Sequence, residues 1–300
     1  DFELVERLWH YAFYDELKVA PEQCSVLMTE PPLNPKANRE KTTQILFETL
    51  NVQNMYLCTP PVLALYASGR TNGIVVDSGA DVTHICPIHE GYLLPHGVQR
   101  LDFAGKDLTR YLMKMLNEKG HSFTTSTQLA IVKHLKETYA KAVIDYEEAK
   151  KIPESASNGD QYELPDGQMI TVGHEHAFFK CPEALLRPSL VEASTLSLSE
   201  LVYQCVAKGT DVDIRQKLYN NIILAGGSTM FKGFEQRFEK DFRTIVPQHF
   251  ETKVFAPPER KYSAWIGGSI MASLSTFQKM WVSKEEYDET GSTIVNRKCF

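Results

Sequence analysis

The spacing of apolar residues near the start of the chain alternates between helical and strand-like patterns. Helical spacing over residues 4–13 is followed by an apolar run at 25–29, a second helical pattern opening at Asn38, another run at 54–58, and a third helix capped by Thr59. Short apolar runs bounded by polar residues or prolines are typical of buried strands. This order of helices and strands favours parallel strands covered by helices.

The pattern then changes to the short runs and tight turns of antiparallel strands. Two runs rich in β-branched residues flank residues 77–79 and predict a β-hairpin, and residues 165–167 predict the turn of a second one. Between the hairpins, helical spacing predicts one helix that ends at Gly120 and a long helix over residues 128–150. Near the end of the chain, a capping box at 283–286 predicts a short last helix.

The tip of the first hairpin carries groups that suit a nucleotide. Backbone N–H groups, the Ser78 hydroxyl and the carboxylates of Asp77 and Asp81 lie in or beside this turn. Such a tip can bind phosphates and the metal that accompanies them. Most turns of this composition only reverse the chain, so the turn by itself favours a plain hairpin until other residues join it.

A second candidate loop follows the apolar run at 221–225. Gly226 and Gly227 stand directly after this run, before Ser228, Thr229 and a helix with phenylalanines at three- and four-residue steps. A strand, a glycine pair and a helix N-terminus let the backbone approach a ligand and point free N–H groups at it. The pattern fits a ligand loop and a tight packing turn equally well, and the aromatic stripe is typical of a core.

Composition excludes several classes of protein. The 300 residues suggest two domains, and 43% hydrophobic with 23% charged residues is the balance of a soluble globular protein. The net charge of -6 gives no support for binding nucleic acid or an acidic membrane, and no apolar run is long enough to span a bilayer. The 6 cysteines form no CxxC pair, which favours a reduced cytosolic or nuclear protein over a disulfide or zinc scaffold.

One short motif resembles a metal-ligand pair. His174 and His176 flank Glu175, and imidazole and carboxylate groups are zinc ligands. Alternate strand positions would point both imidazoles to one face, but the motif has a single glutamate and no third ligand. A surface hairpin is therefore the favoured interpretation.

Longer stretches of the chain resemble the actin family. They are TEPPLNPKANREK at 29–41, LYASGRT at 65–71, YELPDGQ at 162–168, PPERKYS at 257–263 and RKCF at 297–300. The resemblance runs from end to end and begins some way inside the family's sequence. Runs of that length do not arise from a shared fold alone.

This resemblance implies an α/β protein with the actin-like ATPase fold, built from two RNase-H-like domains of which the first is incomplete. Residues 1–67 and 263–300 match a first domain that lacks the N-terminal strands and the small inserted subdomain. Residues 68–262 match the second domain, with its own inserted subdomain near 104–193. The family holds ATP or ADP with Mg²⁺ or Ca²⁺ between its two domains.

The resemblance also implies which residues would contact the nucleotide. They come from distant segments: Asp77, Ser78 and Gly79 at the phosphates, Gly105, Lys136 and Glu137 at the base and ribose, Gly226, Gly227, Ser228 and Thr229 at the other turn, and Lys261 at the base. Asp77 would hold the metal through water, and Asp77 with His84 are the catalytic candidates. Taken singly, Lys136 and Glu137 fit a solvated helix face and His84 fits a packed strand residue. Taken jointly, and in matching order, the set favours a ligand site.

Departures from the family pattern bear on hydrolysis. The family's opening hairpin, which supplies the other phosphate grip, has no counterpart here. Pro60 stands where the family carries the glutamine that orients the attacking water, and proline has no side-chain donor or acceptor. Ala80 replaces a carboxylate near the metal, and Asp81 replaces a glycine where phosphate oxygens would approach. Together these substitutions predict weak or absent ATP hydrolysis.

Residues of the family's partner groove are better kept than its filament contacts. The groove positions are Tyr66, Gly69, Thr71, Glu90, Tyr92, Ile270, Leu274, Thr276 and Met280. They imply actin-binding proteins as partners, alongside other actin-like subunits and without direct contact to nucleic acid or a membrane. The loop that bridges strands of the family's filaments falls at 190–196 and lacks its glycines. The implied location is the cytoplasm and cytoskeleton, with the nucleus as the alternative.

Two functions of different classes follow. In the first, the chain binds adenine nucleotide and takes part in cytoskeletal assembly, with impaired hydrolysis. In the second, it is a nucleotide-independent binding module of a larger complex. A sugar kinase or chaperone ATPase of the same broad fold is a remote third. If the N-terminal strands are absent, the unit at 1–66 has an uncovered strand edge and a bare apolar face, which predicts poor solubility or a covering partner.

Overall fold

The structure is a computed structural model that describes residues 1–152, 160–165, 167, 169–172, 176–191 and 195–299. Its α-helices are α1 (Phe2–Tyr11), α2 (Lys36–Gln44), α3 (Pro60–Ala67), α4 (Gly105–Glu118), α5 (Ser126–Tyr139), α6 (Tyr146–Lys151), α7 (His176–Leu186), α8 (Leu198–Gly209), α9 (Val212–Tyr219), α10 (Phe234–Ile245), α11 (Ser263–Ser273), α12 (Lys284–Thr290) and α13 (Val295–Lys298). Its strands are β1 (Ser25–Thr29), β2 (Asn54–Cys58), β3 (Gly73–Ser78), β4 (Thr83–His89), β5 (Tyr92–Leu93), β6 (Gln99–Leu101), β7 (Asp160–Glu163), β8 (Met169–Val172), β9 (Ile222–Ala225), β10 (Val254–Phe255) and β11 (Val282–Ser283).

The chain divides into two compact units. Unit 1 comprises Asp1–Gly69 and Ala264–Phe300, and unit 2 comprises Arg70–Ser263. Each unit contains its own β-sheet with helices packed against it. None of the helices within the described ranges combines the length and the apolar character that crossing a bilayer requires.

The sheet of unit 1 has the order β1-β2-β11. Strands β1 and β2 are parallel, with Val26 opposite Met55, which confirms the prediction from the order of helices and strands. Helix α2 begins at Lys36 rather than at the predicted Asn38, because Pro35 already supplies an extended N-cap residue. The Asn38 side chain donates to the Asn34 side chain instead of capping the helix.

Helix α1 is present as predicted, but its apolar side chains are not buried. Leu4 and Leu8 are each 62% exposed, and the helix packs chiefly on the π-helical turn Ala12–Leu17 that follows it. The apolar face of α1 is therefore exposed to solvent in unit 1.

The larger sheet of unit 2 has the order β10-β9-β3-β4-β5, with β6 paired to β4. Strands β3 and β4 form the predicted hairpin, and β3 lies parallel to β9. Helix α10 places Phe234, Phe238 and Phe242 in the core, where each is fully buried. The aromatic stripe is thus core, as predicted.

The predicted long helix over 128–150 is wrong, because the chain leaves the helix after Tyr139 and enters α6 only at Tyr146. Between the two helices the backbone is extended, and the Ala142 N–H donates to the carbonyl of Lys232 at 2.9 Å. The Asp145 carboxylate then accepts from the N–H of Glu148 and starts α6. A tertiary contact interrupts a pattern that is locally helical.

The second predicted hairpin is also present. Strands β7 and β8 pair in antiparallel register, with Tyr162 opposite Ile170. Several sequence features fall outside the described residues: Asp166 and Gln168 of its turn, the polar loop at 153–159, His174 and Glu175, residues 192–194 of the predicted filament loop, and Phe300.

Candidate functional site

Two turns of unit 2 meet at one edge of its large sheet. Strands β3 and β9 are parallel neighbours, with Asp77 opposite Ala225, so the hairpin tip at 79–82 and the turn at 226–229 leave the sheet side by side. The Ser228 hydroxyl donates to the carbonyl of Gly79 at 2.6 Å and joins the turns directly. Both candidate loops of the sequence therefore belong to one site.

The sequence pattern predicted that the glycine pair leads directly into the long helix, and this prediction is wrong. Residues Gly227–Thr229 form a single 3₁₀ turn, and α10 begins only at Phe234, after Gly233. The free donors at this turn are therefore those of the 3₁₀ turn and not those of α10.

Gly226 allows the two turns to touch. Its φ of 84° and ψ of 154° lie in a region that is essentially restricted to glycine. A Cβ atom at this position would stand 2.2 Å from the Ser78 carbonyl oxygen and 2.7 Å from Oδ1 of Asp77. No other residue type can occupy this position without separating the turns.

The N-terminus of α4 forms the third wall of the site. The N–H of Gly105 donates to the carbonyl of Gly79 at 3.1 Å, and the N–H of Lys106 donates to that of Ala80 at 2.7 Å. A Cβ atom on Gly105 would stand 2.5 Å from the Ser228 hydroxyl oxygen. The hairpin tip is therefore held from two sides through its carbonyl groups.

The contacts that hold the hairpin tip at 79–82 use mainly its carbonyl groups, so backbone N–H groups of the tip remain available for a ligand. Within the described residues, the backbone N–H groups of Ala80, Asp81 and Val82 have no intramolecular acceptor, and the same holds for Gly227 and Ser228. Adjacent unpaired N–H groups on two turns carry partial positive charge, which suits the oxygens of a phosphate.

Lys136 and Glu137 take opposite environments on α5. The Lys136 side chain is buried, its Nζ donates to the carbonyl of Gly105 at 2.6 Å, and burial lowers the pKa of its ammonium. Glu137 is exposed and lies 4.0 Å from Lys133. Glu137 therefore lies on a solvated helix face, as one interpretation of the sequence had it. Lys136 does not, because its side chain is buried and holds the Gly105 carbonyl at the N-terminus of α4.

Asp77 and His84 are directly opposite each other in the β3–β4 ladder, so their side chains share one face of the sheet. Burial raises the pKa of the Asp77 carboxyl to about 6. Burial also lowers the pKa of the His84 imidazole, and the nearby Arg100 charge acts in the same direction. Both effects favour the neutral form of the imidazole.

The donor set fits a divalent cation that is bound mainly by phosphate and water. Within the described part of the chain, no group of three or more His, Cys, Asp or Glu side chains could hold a metal ion. Asp77 offers one carboxylate beside the free N–H groups of the turns. Mg²⁺ commonly binds through one or two carboxylates, substrate phosphates and several waters, so a single carboxylate at this place is sufficient.

Sequence reasoning did not predict two contacts that shape the site. Asp81 pairs with Lys106 at 2.7 Å, with both side chains exposed. Arg260 donates to the carbonyl of Thr229 at 2.9 Å and to its hydroxyl at 3.2 Å, and its own carbonyl accepts from the N–H of Gly226. Arg260 stands inside the PPERKYS stretch, but its spacing alone does not indicate this contact.

The remaining predicted contacts lie apart from the turns or only beside them. Lys261 is exposed, and its Cγ would stand 3.8 Å from a Cβ atom built on Gly227. Pro60 begins α3 in unit 1, where the neighbouring Thr59 hydroxyl is buried and has no partner among the described residues.

Groove residues belong to both units and are described within each. In unit 1, Ile270 and Leu274 are each 43% exposed, and the buried Phe277 anchors the turn Ser275–Lys279. In unit 2, Tyr92 is 57% exposed, and the Thr71 carbonyl accepts from the N–H of Gly91. The groove residues of each unit thus present apolar surface to solvent. That these surfaces form one partner groove stays a prediction.

The raised pKa of Asp77 yields a testable pH dependence. An aspartate whose pKa is about 6 in the folded state and about 4 when unfolded opposes folding once it ionises. We therefore expect Asp77→Asn to raise the free energy of unfolding by about 3 kcal/mol at pH 7.5. At pH 4 the gain should be small, because the folded aspartate is protonated and the unfolded one is only about half ionised.

Urea unfolding in EDTA, without nucleotide, measures this difference at each pH. If Asp77→Asn raised the free energy of unfolding equally at both pH values, the ionisation of Asp77 would not be the cause. Asp81→Asn is the matched control, because that carboxylate is exposed and paired with Lys106.

Compared with known protein families, the chain matches one family model, described as Actin, over residues 1–300. The match includes both units, so every residue of the site lies inside it. It also includes Pro60, Ala80 and Asp81.

Proposed function

The chain belongs to the actin family, and from this premise we propose that it is an actin-like protein that binds ATP or ADP with Mg²⁺ or Ca²⁺ and hydrolyses ATP slowly. The observation that carries the proposal is the junction of the two turns in unit 2. It presents five unpaired backbone N–H groups beside the Asp77 carboxylate.

Each wall of the site has a distinct task in this proposal. The N–H groups of Ala80, Asp81 and Val82, with those of Gly227 and Ser228, bind phosphate oxygens. Asp77 holds the cation through water, and the cation neutralises phosphate charge when it is bound. By family resemblance, Gly105, Lys136, Glu137 and Lys261 lie at the ribose and base.

Slow hydrolysis follows from the groups that the chain lacks. An attacking water must be oriented by a donor or acceptor, and Pro60 offers no such side chain. Ala80 likewise offers no carboxylate. Burial lowers the pKa of His84 and so favours the neutral imidazole that can accept a proton, but a general base without a positioned water gives little rate enhancement.

The proposal predicts saturable binding of Mg-ATP with slow release of phosphate. Pro60→Gln should raise the rate of phosphate release by roughly 10²-fold with an unchanged dissociation constant, since it restores only the water-orienting group. Calorimetric titration measures the affinity, and single-turnover phosphate release measures the rate on the same samples.

Two outcomes contradict parts of this proposal separately. An absence of saturable ATP binding would favour the nucleotide-independent binding module. Tight binding with brisk phosphate release by the unaltered chain would remove the impairment assigned to Pro60 and Ala80. Pro60→Ala is the matched control, because it removes the same proline without adding a side-chain amide that could orient water.

Partners and location follow from the family rather than from the site. We expect actin-binding proteins at the apolar surfaces that contain Ile270, Leu274 and Tyr92, and other actin-like subunits in cytoskeletal assembly. Co-sedimentation with filaments, with and without Leu274→Glu, tests whether the exposed apolar surface of unit 1 takes part.

A further inference from the structure

An ion pair of unit 2 stands beside the unpaired N–H groups of the hairpin tip at 79–82. The Lys106 ammonium lies 2.7 Å from Oδ1 of Asp81, and the two side chains are 59% and 64% exposed. The backbone N–H of Asp81 is one of the groups that have no intramolecular acceptor among the described residues. The same residue therefore offers a phosphate a hydrogen-bond donor and opposes it with a carboxylate.

Backbone hydrogen bonds fix the position of this lysine relative to the tip. The N–H of Lys106 donates to the carbonyl of Ala80 at 2.7 Å, one residue before Asp81. The N–H of Gly105 donates to the carbonyl of Gly79, so both N–H groups of α4 are bonded to the tip. The positive charge that α4 can still offer a ligand is the Lys106 ammonium, and its flexible four-carbon stem lets it move from Asp81 toward the free N–H groups.

Asp81 is the carboxylate that holds this lysine, and it holds it weakly. Asp107 is engaged within its own helix, since its Oδ2 accepts from the N–H of Ala104 at 3.2 Å and its Oδ1 pairs with Arg110 at 3.1 Å. An exposed ion pair such as that of Asp81 and Lys106 changes an equilibrium constant by up to about fivefold. A hydrogen bond to a charged group contributes about ten- to hundredfold, so a bound phosphate can replace the carboxylate.

We propose that Lys106 is a phosphate ligand held by Asp81 until a nucleotide binds, when its ammonium leaves the carboxylate and binds a phosphate oxygen. This inference rests on the proposed nucleotide binding and deepens it, because it adds a side-chain cation to the backbone donors of the two turns. The tip N–H groups hold the phosphate in place, and an ammonium–phosphate contact is a charge-assisted hydrogen bond. Asp81 lowers the affinity for the nucleotide, because it competes for the lysine and repels the phosphate.

This exchange makes the effects of the two side chains depend on each other in a defined direction. In the unaltered chain, the contact between Lys106 and the phosphate forms only after the pair with Asp81 has opened. When Asp81→Asn removes that pair, Lys106 contributes its full interaction with the phosphate. A lysine that stayed on Asp81 would give the opposite order, because its main effect would be to neutralise a carboxylate that Asp81→Asn has already removed.

A double-mutant cycle in the affinity for Mg-ATP tests the exchange. We expect Lys106→Met alone to raise the dissociation constant about tenfold, and Asp81→Asn alone to lower it about two- to fivefold. When Asp81→Asn is already present, Lys106→Met should raise the dissociation constant about fiftyfold, because no pair then has to open. Titration calorimetry measures the four proteins at one ionic strength. Both changes keep the backbone N–H groups, and circular dichroism checks that each variant is folded.

Lys114→Met is the matched control, because it removes the same charge from an exposed position of α4. Lys114 lies about 12 Å along the helix from Lys106, beyond the screening length of about 8 Å at physiological ionic strength, so the dissociation constant should change by less than about twofold. Unchanged affinity in Lys106→Met, an equal or smaller effect of Lys106→Met when Asp81→Asn is present, or an equal loss in Lys114→Met would overturn the exchange and leave nucleotide binding intact. An unaltered chain that binds no Mg-ATP would remove the proposed function, and the exchange with it.

Discussion

Gly226→Ala is expected to weaken ATP binding by at least about 100-fold, the largest loss for any single change in the site. The new Cβ atom would stand 2.2 Å from the Ser78 carbonyl oxygen and 2.6 Å from its carbon, both of which are backbone atoms that cannot swing away. The φ of 84° and ψ of 154° add a conformational penalty of about 1–3 kcal/mol for any residue with a side chain. Both effects push apart the two turns whose N–H groups would bind the phosphates.

Gly227→Ala is the matched control, because it makes the same chemical change one residue later. Its Cβ atom would meet only the Lys261 Cγ, at 3.8 Å, which is an ordinary contact. Alanine also keeps the N–H group, so the dissociation constant should change by less than about threefold. Titration calorimetry with Mg-ATP compares the two variants. Equal affinities for both would show that the junction of the two turns is not part of the binding site.

The second large effect concerns the core of unit 2. Arg237→Met is expected to lower the free energy of unfolding of this unit by about 3–5 kcal/mol. Arg237 is 2% exposed, and its guanidinium donates to both carboxylate oxygens of Glu183, at 2.7 and 3.2 Å, and also pairs with Asp241. Burial raises the pKa of Glu183, while the hydrogen bonds from Arg237 act in the opposite direction.

The loss should depend on pH in a defined direction. Without Arg237, the pKa of Glu183 rises further above its value in the unfolded chain, so the ionised carboxylate opposes folding most strongly at neutral and higher pH. The destabilisation of Arg237→Met should therefore be greater at pH 7.5 than at pH 5. Urea unfolding at the two pH values measures it, and the opposite order would contradict the assignment.

Two features of the chain make this measurement specific. Trp9, Trp265 and Trp281 are the 3 tryptophans and all lie in unit 1, so fluorescence follows unit 1 while circular dichroism follows both units. Arg187→Met is the matched control: its guanidinium also contacts Glu183, at 3.3 Å, but its side chain is 40% exposed. That variant should lose no more than about 1 kcal/mol.

Short local patterns predicted much of the secondary structure. The run at 54–58 coincides with β2, and the hairpin around 77–79 and the capping box at Ser283 are all present. These features depend on residues within a few positions of each other, such as the Ser283 hydroxyl that accepts from the N–H of Glu286. Periodicity and capping therefore suffice to predict them.

Long-range contacts explain the errors. The helix predicted over 128–150 is broken because Ala142 pairs with Lys232, which is far away in sequence. The spacing of apolar residues in α1 indicates an apolar face, but the described part of unit 1 provides no surface that covers Leu4 and Leu8. A periodic pattern indicates which face is apolar and carries no information about what that face meets.

Local chemistry was sufficient to determine the two parallel strands at 25–29 and 54–58, the hairpin that presents Asp77 and the aromatic core around Phe238. The resemblance of longer stretches of the chain indicated the actin family from the sequence alone. Only the tertiary structure decided that the Ser228 hydroxyl reaches the Gly79 carbonyl, 149 positions earlier, and that Arg260 holds the same turn. The reason is physical: strand order and register bring such groups together, and neither leaves a local signal in the residues that meet.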